Sequence, residues 1–316
     1  MTVFDEAATR EALPFDRLIE SLREMFRVGC QVPSRHAHTI ETSAGQGTVL
    51  IMPAWTEKYL GIKTVNAFPG NAFRGLPGLF ATYTLFDATT GQPLAQMDGS
   101  VITSRRTAAA SALAASYLAR PESGRLLVMG AGAVGRLLPE AYAAAFDLHA
   151  VTVWDRTAAR AEQVAKTLTS QGIRAVPCTD REWAVRGADI VSTATFATEP
   201  IVKGEWLAPG SHLDLIGGFR PDMREADDFA FVDARIFVDT DEALRKSGDL
   251  LEPIAHGILS AKAIAGDLQD LCMRAVPGRG SVSERTVFKS VGTALADLAA
   301  AIQVYDYWLA QEVQRD

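Results

Sequence analysis

The sequence predicts an α/β protein built on a Rossmann-type, doubly wound parallel sheet, and three observations carry the prediction. An apolar run, Leu126-Leu127-Val128-Met129, passes directly into the glycine turn Gly130-Ala131-Gly132-Ala133-Val134-Gly135. A helical pattern follows over about residues 136–146, and a second β-rich run, Ala150-Val151-Thr152-Val153-Trp154, ends at Asp155. Beyond it, strands and helices go on alternating, as parallel βαβ units do. Strand, glycine turn, helix, strand and acid is the order of a dinucleotide-binding unit. Gly130 permits the tight turn, Gly132 lets the backbone approach a pyrophosphate, and Gly135 allows helix and strand to pack closely. The unpaired N–H groups and dipole of the helix start favour the anion. A glycine-rich turn in some other α/β protein is the plainer alternative. The flanking strand, helix and acid favour the nucleotide.

At 316 residues the chain is long enough for about two domains with a substantial core. A net charge of -7, with Lys and Arg scattered, offers no basic surface to nucleic acid. No apolar run approaches the roughly 18 residues of a membrane span. The first residues carry Asp5, Glu6 and Glu11 without a basic-then-apolar pattern, which argues against a signal peptide. Cys30, Cys178 and Cys272 are isolated and lack metal spacing, so no metal site is expected and the thiols suit a reducing cytoplasm.

In chain order, residues 5–27 read as one or two helices, with Leu18, Ile19, Leu22 and Phe26 at helical spacing. Residues 32–50 turn polar and β-like and end in Val49-Leu50-Ile51-Met52. Residues 59–66 form a strand with Lys63 as its conspicuous charge, and residues 69–71 and 75–78 are loop signals. Residues 80–86 alternate like a strand, and 87–91 turn into Leu94-Ala95-Gln96-Met97. An alanine-rich helix over 104–118 stops before Pro121, and 121–124 reads as a domain boundary. After the glycine unit come a helix over 158–168, a short strand at 175–177 and a short helix at 181–185. Strands follow at 189–195, 212–218 and 236–239, and an amphipathic helix over 291–311 crosses back onto the first domain.

Three cations lie among apolar or small residues: Arg35, Lys63 and Arg106. A buried cation needs a partner. Converging, the three would bind a carboxylate, with arginine suited to bidentate contact; apart, they would be three structural ion pairs. His36 and His38 share a strand face, where they could donate a proton or simply be solvated. Asp155 could hold the adenine ribose of NADH, whereas Arg156, followed by Thr157, could meet the 2′-phosphate of NADPH or stack on adenine. The choice between NADH and NADPH stays open.

Further motifs resemble the ornithine cyclodeaminase/mu-crystallin family. They are Met52-Pro53-Ala54, Gly61-Ile62-Lys63-Thr64-Val65-Asn66, Gly75-Leu76-Pro77, Asp98-Gly99, the run from Thr103 to Ser111, Arg220-Pro221-Asp222-Met223-Arg224-Glu225 and Phe288-Lys289-Ser290-Val291-Gly292. The resemblance implies a nucleotide domain over 121–290. It also implies a mixed-sheet domain for substrate binding and dimerisation over 1–120, completed by the helix of 291–316. It assigns Arg35, Lys63 and Arg106 to the substrate carboxylate, Thr107 to the cofactor phosphates, and Ser290, Val291 and Gly292 to the nicotinamide amide. The expected cofactor set adds Gly130, Gly132, Ala133, Val134, Gly135, Asp155, Arg156, Thr157, Thr193 and Ala194.

Two departures bear on the reaction. Members that deaminate ornithine carry an aspartate where this chain has Phe219, and a glutamate where it has Leu50. Without those carboxylates the resemblance implies an NAD(P)H-dependent reductase of cyclic imino acids, with Phe219 placed at the substrate. Δ1-Pyrroline-2-carboxylate would give L-proline, and Δ1-piperideine-2-carboxylate L-pipecolate, in a cytoplasmic homodimer. An alanine dehydrogenase-like enzyme, an ornithine cyclodeaminase and a crystallin-like nucleotide binder are the alternatives.

Overall fold

The computed structural model describes residues 1–43 and 45–313. They gather into two compact units, Met1–Arg106 with the chain from Thr293 onward, and Thr107–Gly292. The division falls inside one continuous helix, Gly99–Leu118, ahead of the turn at 121–124. A helix carries the chain across without any loop signal, so composition gives no notice of it.

In the first unit, strands Thr2–Phe4 (β1), His36–Thr42 (β2), Gly45–Trp55 (β3), Tyr59–Ala67 (β4), Leu79–Asp87 (β5) and Pro93–Asp98 (β6) form one sheet. Their order is β1-β6-β5-β4-β3-β2. β1 runs parallel to β6 and the other pairs are antiparallel, which makes the sheet mixed. Along each strand the period of two buries one face: Met52 and Ala54, then Lys63 and Val65, then Tyr83 and Leu85, then Ala95 and Met97. The helix Ala294–Val313 packs on β3, β4 and β5 and against the helix Phe15–Val28. The latter buries Phe15, Leu18, Ile19, Leu22 and Phe26 at three- and four-residue spacing, as its sequence pattern predicts. Edge strand β2 is exposed along nearly its whole length.

The second unit holds strands Arg125–Met129 (β7), Ala150–Trp154 (β8), Ala175–Cys178 (β9), Ile190–Thr193 (β10), His212–Leu215 (β11), Ala234–Val238 (β12), Ile264–Asp267 (β13) and Arg285–Lys289 (β14). They form an all-parallel sheet in the order β13-β12-β14-β11-β10-β7-β8-β9. The order reverses between β7 and β10, where a doubly wound sheet opens a crevice at its strand ends. β13 and β14 are absent from the sequence reading: each is four or five residues long, and β14 begins and ends on a charge.

The helix after the glycine turn is a second correction. A 3₁₀ turn, Gly135–Leu137, precedes a short helix, Leu138–Ala143, in place of one helix over 136–146. Pro139 lacks an N–H and is tolerated only in a first turn, so the α-helix starts at Leu138.

Candidate active site

The nucleotide unit presents a cleft of about 430 Å³ at the strand-order reversal. Gly130 and Gly132 line it from the end of β7, and Trp154, Asp155, Arg156, Thr157 and Arg160 from the end of β8. Residues from Ala194 to Glu199, together with Ile201, line it from the end of β10. Gly130 has φ +109°, a region that favours glycine. A Cβ at Gly135 would stand 1.7 Å from the Gly130 carbonyl oxygen, so this glycine permits the close approach. At Gly132 a Cβ would meet nothing within 4 Å, which leaves open the space a pyrophosphate would take. Gly132 and Ala133 are exposed, Val134 half-buried and Gly135 buried.

Asp155 ties the acid of the motif to the turn. Its Oδ2 accepts from Ala131 N at 2.8 Å and its Oδ1 from Thr157 N at 2.8 Å. Arg156, Thr157 and Arg160 are exposed on the same rim. Thr193 does not line the cleft. It is wholly buried, and its hydroxyl donates to Glu225 at 2.7 Å; Ala194 and Thr195 form the wall instead. At the end of β14, Ser290 is buried, and the amides of Val291 and Gly292 donate to Asp239 Oδ2 at 2.9 and 2.6 Å. Thr107 is half-buried on the long helix.

In the first unit the cations come together around an acid that sequence reasoning missed. Strand register puts Met52, Lys63, Tyr83 and Met97 in one row across β3 to β6. Lys63 Nζ lies 2.5 Å from Asp297 Oδ2, and Arg106 Nε donates to Asp297 Oδ1 at 2.8 Å. Lys63 is 2% exposed, Arg106 6% and Asp297 0%. Two buried cations thus share one carboxylate, and one positive charge among the three is left over.

Burial above all, with Arg106 and Arg35 adding to it and Asp297 opposing, brings the Lys63 ammonium down from 10.5 to about 8. Burial alone would raise the Asp297 carboxyl, but Arg106 and Lys63 hold it below its ordinary range. Arg35 is half-buried, and its charge is felt at Lys63. Among the described residues the hydroxyl of wholly buried Tyr83 has no hydrogen-bond partner, and burial raises its pKa well above the ordinary value. Asp297 had a visible signal: it is the one charge in the run from Gly292 to Tyr305.

Leu50 pairs with Val65, one row from Lys63 on the same face. Phe219, 41% exposed, meets Phe196 edge to face at 6.2 Å in the nucleotide unit. His36 and His38 are exposed on β2. Among the described residues no helix is long and apolar enough to cross a membrane, and no group of three His, Cys, Asp or Glu is placed to hold a metal.

The known proteins that resemble this chain agree with that architecture. It is 40% identical over 281 residues to Δ1-pyrroline-2-carboxylate reductase of Paracoccus denitrificans, covering 88% of this chain and 89% of that protein. Against mouse ketimine reductase mu-crystallin it is 41% identical over 266 residues, 83% of this chain and 81% of the relative. The structure of Thermococcus litoralis Δ1-pyrroline-2-carboxylate reductase, solved with NADH and L-proline, superposes with a TM-score of 0.92 at 31% identity. That match covers 99% of this chain and 98% of the other. The profile of the ornithine cyclodeaminase/mu-crystallin family matches residues 4–312, and the chain belongs to that family.

Proposed function

We propose that this protein reduces cyclic ketimines with NAD(P)H, taking Δ1-pyrroline-2-carboxylate to L-proline and Δ1-piperideine-2-carboxylate to L-pipecolate. One observation carries the reading: Lys63 and Arg106 are buried around a single carboxylate, so a substrate carboxylate completes their neutralisation. Arginine offers that carboxylate a planar fork, lysine a point charge, and Arg35 adds a third cation beside them. Asp297 holds both buried cations in place. Fixing the carboxylate fixes the adjacent imine carbon. A protonated imine is already electrophilic, so no separate side-chain acid is required. Phe219 and Leu50 offer no carboxylate to a second amine and suit a hydrocarbon ring.

The bound nicotinamide supplies the hydride. Gly130, Gly132 and Asp155 would hold the dinucleotide, with Thr107, Arg156, Thr157, Ala194 and the stretch Ser290-Val291-Gly292 completing the site. The working form is a cytoplasmic homodimer: the long exposed edge of β2 needs cover, and three cysteines isolated in sequence suit a reducing compartment. Oxidation of NADH and NADPH by five- and six-membered cyclic imines tests the reading. Absence of turnover despite measured nucleotide binding would replace it with that of a nucleotide-binding protein.

A further inference from the structure

Behind the nucleotide cleft lie three wholly buried charges: Glu225, Asp249 and Lys289. Lys289 Nζ donates to Asp249 Oδ2 at 3.1 Å, and Asp249 Oδ1 accepts from the amides of Glu225 and Ala226. Glu225 Oε1 accepts from the amide and the hydroxyl of Thr195, each at 2.7 Å. Its Oε2 accepts from the Thr193 hydroxyl at 2.7 Å and the Gly217 amide at 2.6 Å. This one carboxylate therefore laces the end of β10 to the end of β11, and Thr195 is itself a wall of the cleft. Each carboxylate oxygen faces one backbone amide and one hydroxyl, and the ionised acid is the form that accepts from all four donors at once. Burial raises the Glu225 pKa and Lys289 opposes that rise. With Asp249 and Glu225 anionic and Lys289 cationic, the cluster carries one net negative charge.

The side of the cleft matters. Asp155, at the end of β8, marks the adenosine half, and the glycine turn after β7 marks the pyrophosphate. The remaining half of a dinucleotide would then lie over the ends of β10 and β11, in front of Thr195. That half carries the charge difference between the two redox forms: its ring is cationic when oxidised and neutral when reduced. We propose that Glu225 is a positioning residue for the nicotinamide half, and that the negative charge it keeps behind Thr195 favours the oxidised cofactor over the reduced one. Such a bias makes release of hydride to the substrate more favourable. The inference rests on the nucleotide-binding reading above.

Calorimetric titration of wild type and Glu225→Gln with NAD+ and with NADH tests it. Loss of the charge is expected to raise Kd for NAD+ at least about fivefold more than Kd for NADH, the order expected of one partly screened charge. Equal shifts in both constants, or none, would make Glu225 a structural brace and overturn the proposal. Should Glu225→Gln not fold, Glu225→Asp decides. It keeps the charge while drawing the carboxylate back from Thr195, so both nucleotides should weaken with their ratio held, and a changed ratio counts against the proposal. If wild type binds neither nucleotide, the nucleotide-binding reading itself has failed, an outcome distinct from an unmoved ratio.

Discussion

Asp297→Asn removes the one carboxylate shared by Lys63 and Arg106 while keeping its shape. Lys63 is already pushed from 10.5 to about 8, burial first and the neighbouring arginines next, with Asp297 as the group that holds it up. A shift of that size corresponds to roughly 3 kcal/mol against the charged form. Without Asp297 the same burial acts unopposed, and the lysine goes neutral within the physiological range. In the role proposed for it a protonated Lys63 meets the substrate carboxylate, so kcat/KM should fall as pH rises through its pKa. Wild type should lose kcat/KM above about pH 8, and the variant at least about one pH unit lower. At pH 8 a one-unit difference leaves about half of the wild-type lysine and about a tenth of the variant's protonated, so the variant's kcat/KM should be at least about fivefold lower. The assay is imine-dependent NADH oxidation from about pH 6 to 10. The substrate's own titration is common to both proteins, so the difference between the profiles belongs to the protein. Coincident profiles would refute the shared-carboxylate account of Lys63.

Lys63→Met should lower kcat/KM at least about tenfold without lowering Tm, because it deletes a buried cation along with its roughly 3 kcal/mol penalty; a large fall in Tm would show that Lys63 holds the fold. Gly132→Val should fold normally and lose NADH binding by titration, since its side chain enters open space in the cleft. Gly135→Ala, aimed at the Gly130 carbonyl, should by contrast fail in thermal melts. Asp214, buried and accepting from Ser111, Tyr142 and Ser192, has its pKa pushed up to about 6 from 3.8, mainly by burial. Its folded-state pKa lies above the unfolded one, so its contribution falls by about 3 kcal/mol as pH rises from about 4 to 6 and is level beyond. Buried His212, pushed down to about 3, acts in the opposite sense. The check is therefore the difference between Asp214→Asn and wild type in urea midpoints, which should change across that window and not above it.

Much of the fold was legible because local chemistry and tertiary role coincide. The glycine turn, the two runs around it and the amphipathic spacing of Leu18, Ile19, Leu22 and Phe26 each point to one structure. What was missed lacks local pattern. β14 is held by its place beside β11 and β12 and by the buried pair of Lys289 with Asp249, and none of that is local in sequence. The division inside Gly99–Leu118 leaves no loop behind. In the candidate site, Lys63 and Arg106 stood out as charges among small residues. Their partner lies 191 positions beyond Arg106, and distance along the chain hid the pairing. Thr193 shows the opposite error: a small hydroxyl at a strand end reads as a ligand, yet its burial turns it toward Glu225.

The most direct test of the account is a paired measurement on the purified protein. Reduction of Δ1-pyrroline-2-carboxylate by NADH is set against ammonia release from L-ornithine in the presence of NAD+. In the proposed reading Phe219 and Leu50 stand where a cyclodeaminase would hold a carboxylate, so a second cationic amine would be left unpaired there at a penalty of several kcal/mol, whereas a hydrocarbon ring would gain roughly 0.8 kcal/mol per buried CH₂. The predicted result is rapid imine reduction yielding L-proline, with ammonia release at least about a hundredfold slower. Ammonia release that outpaces imine reduction would contradict the account.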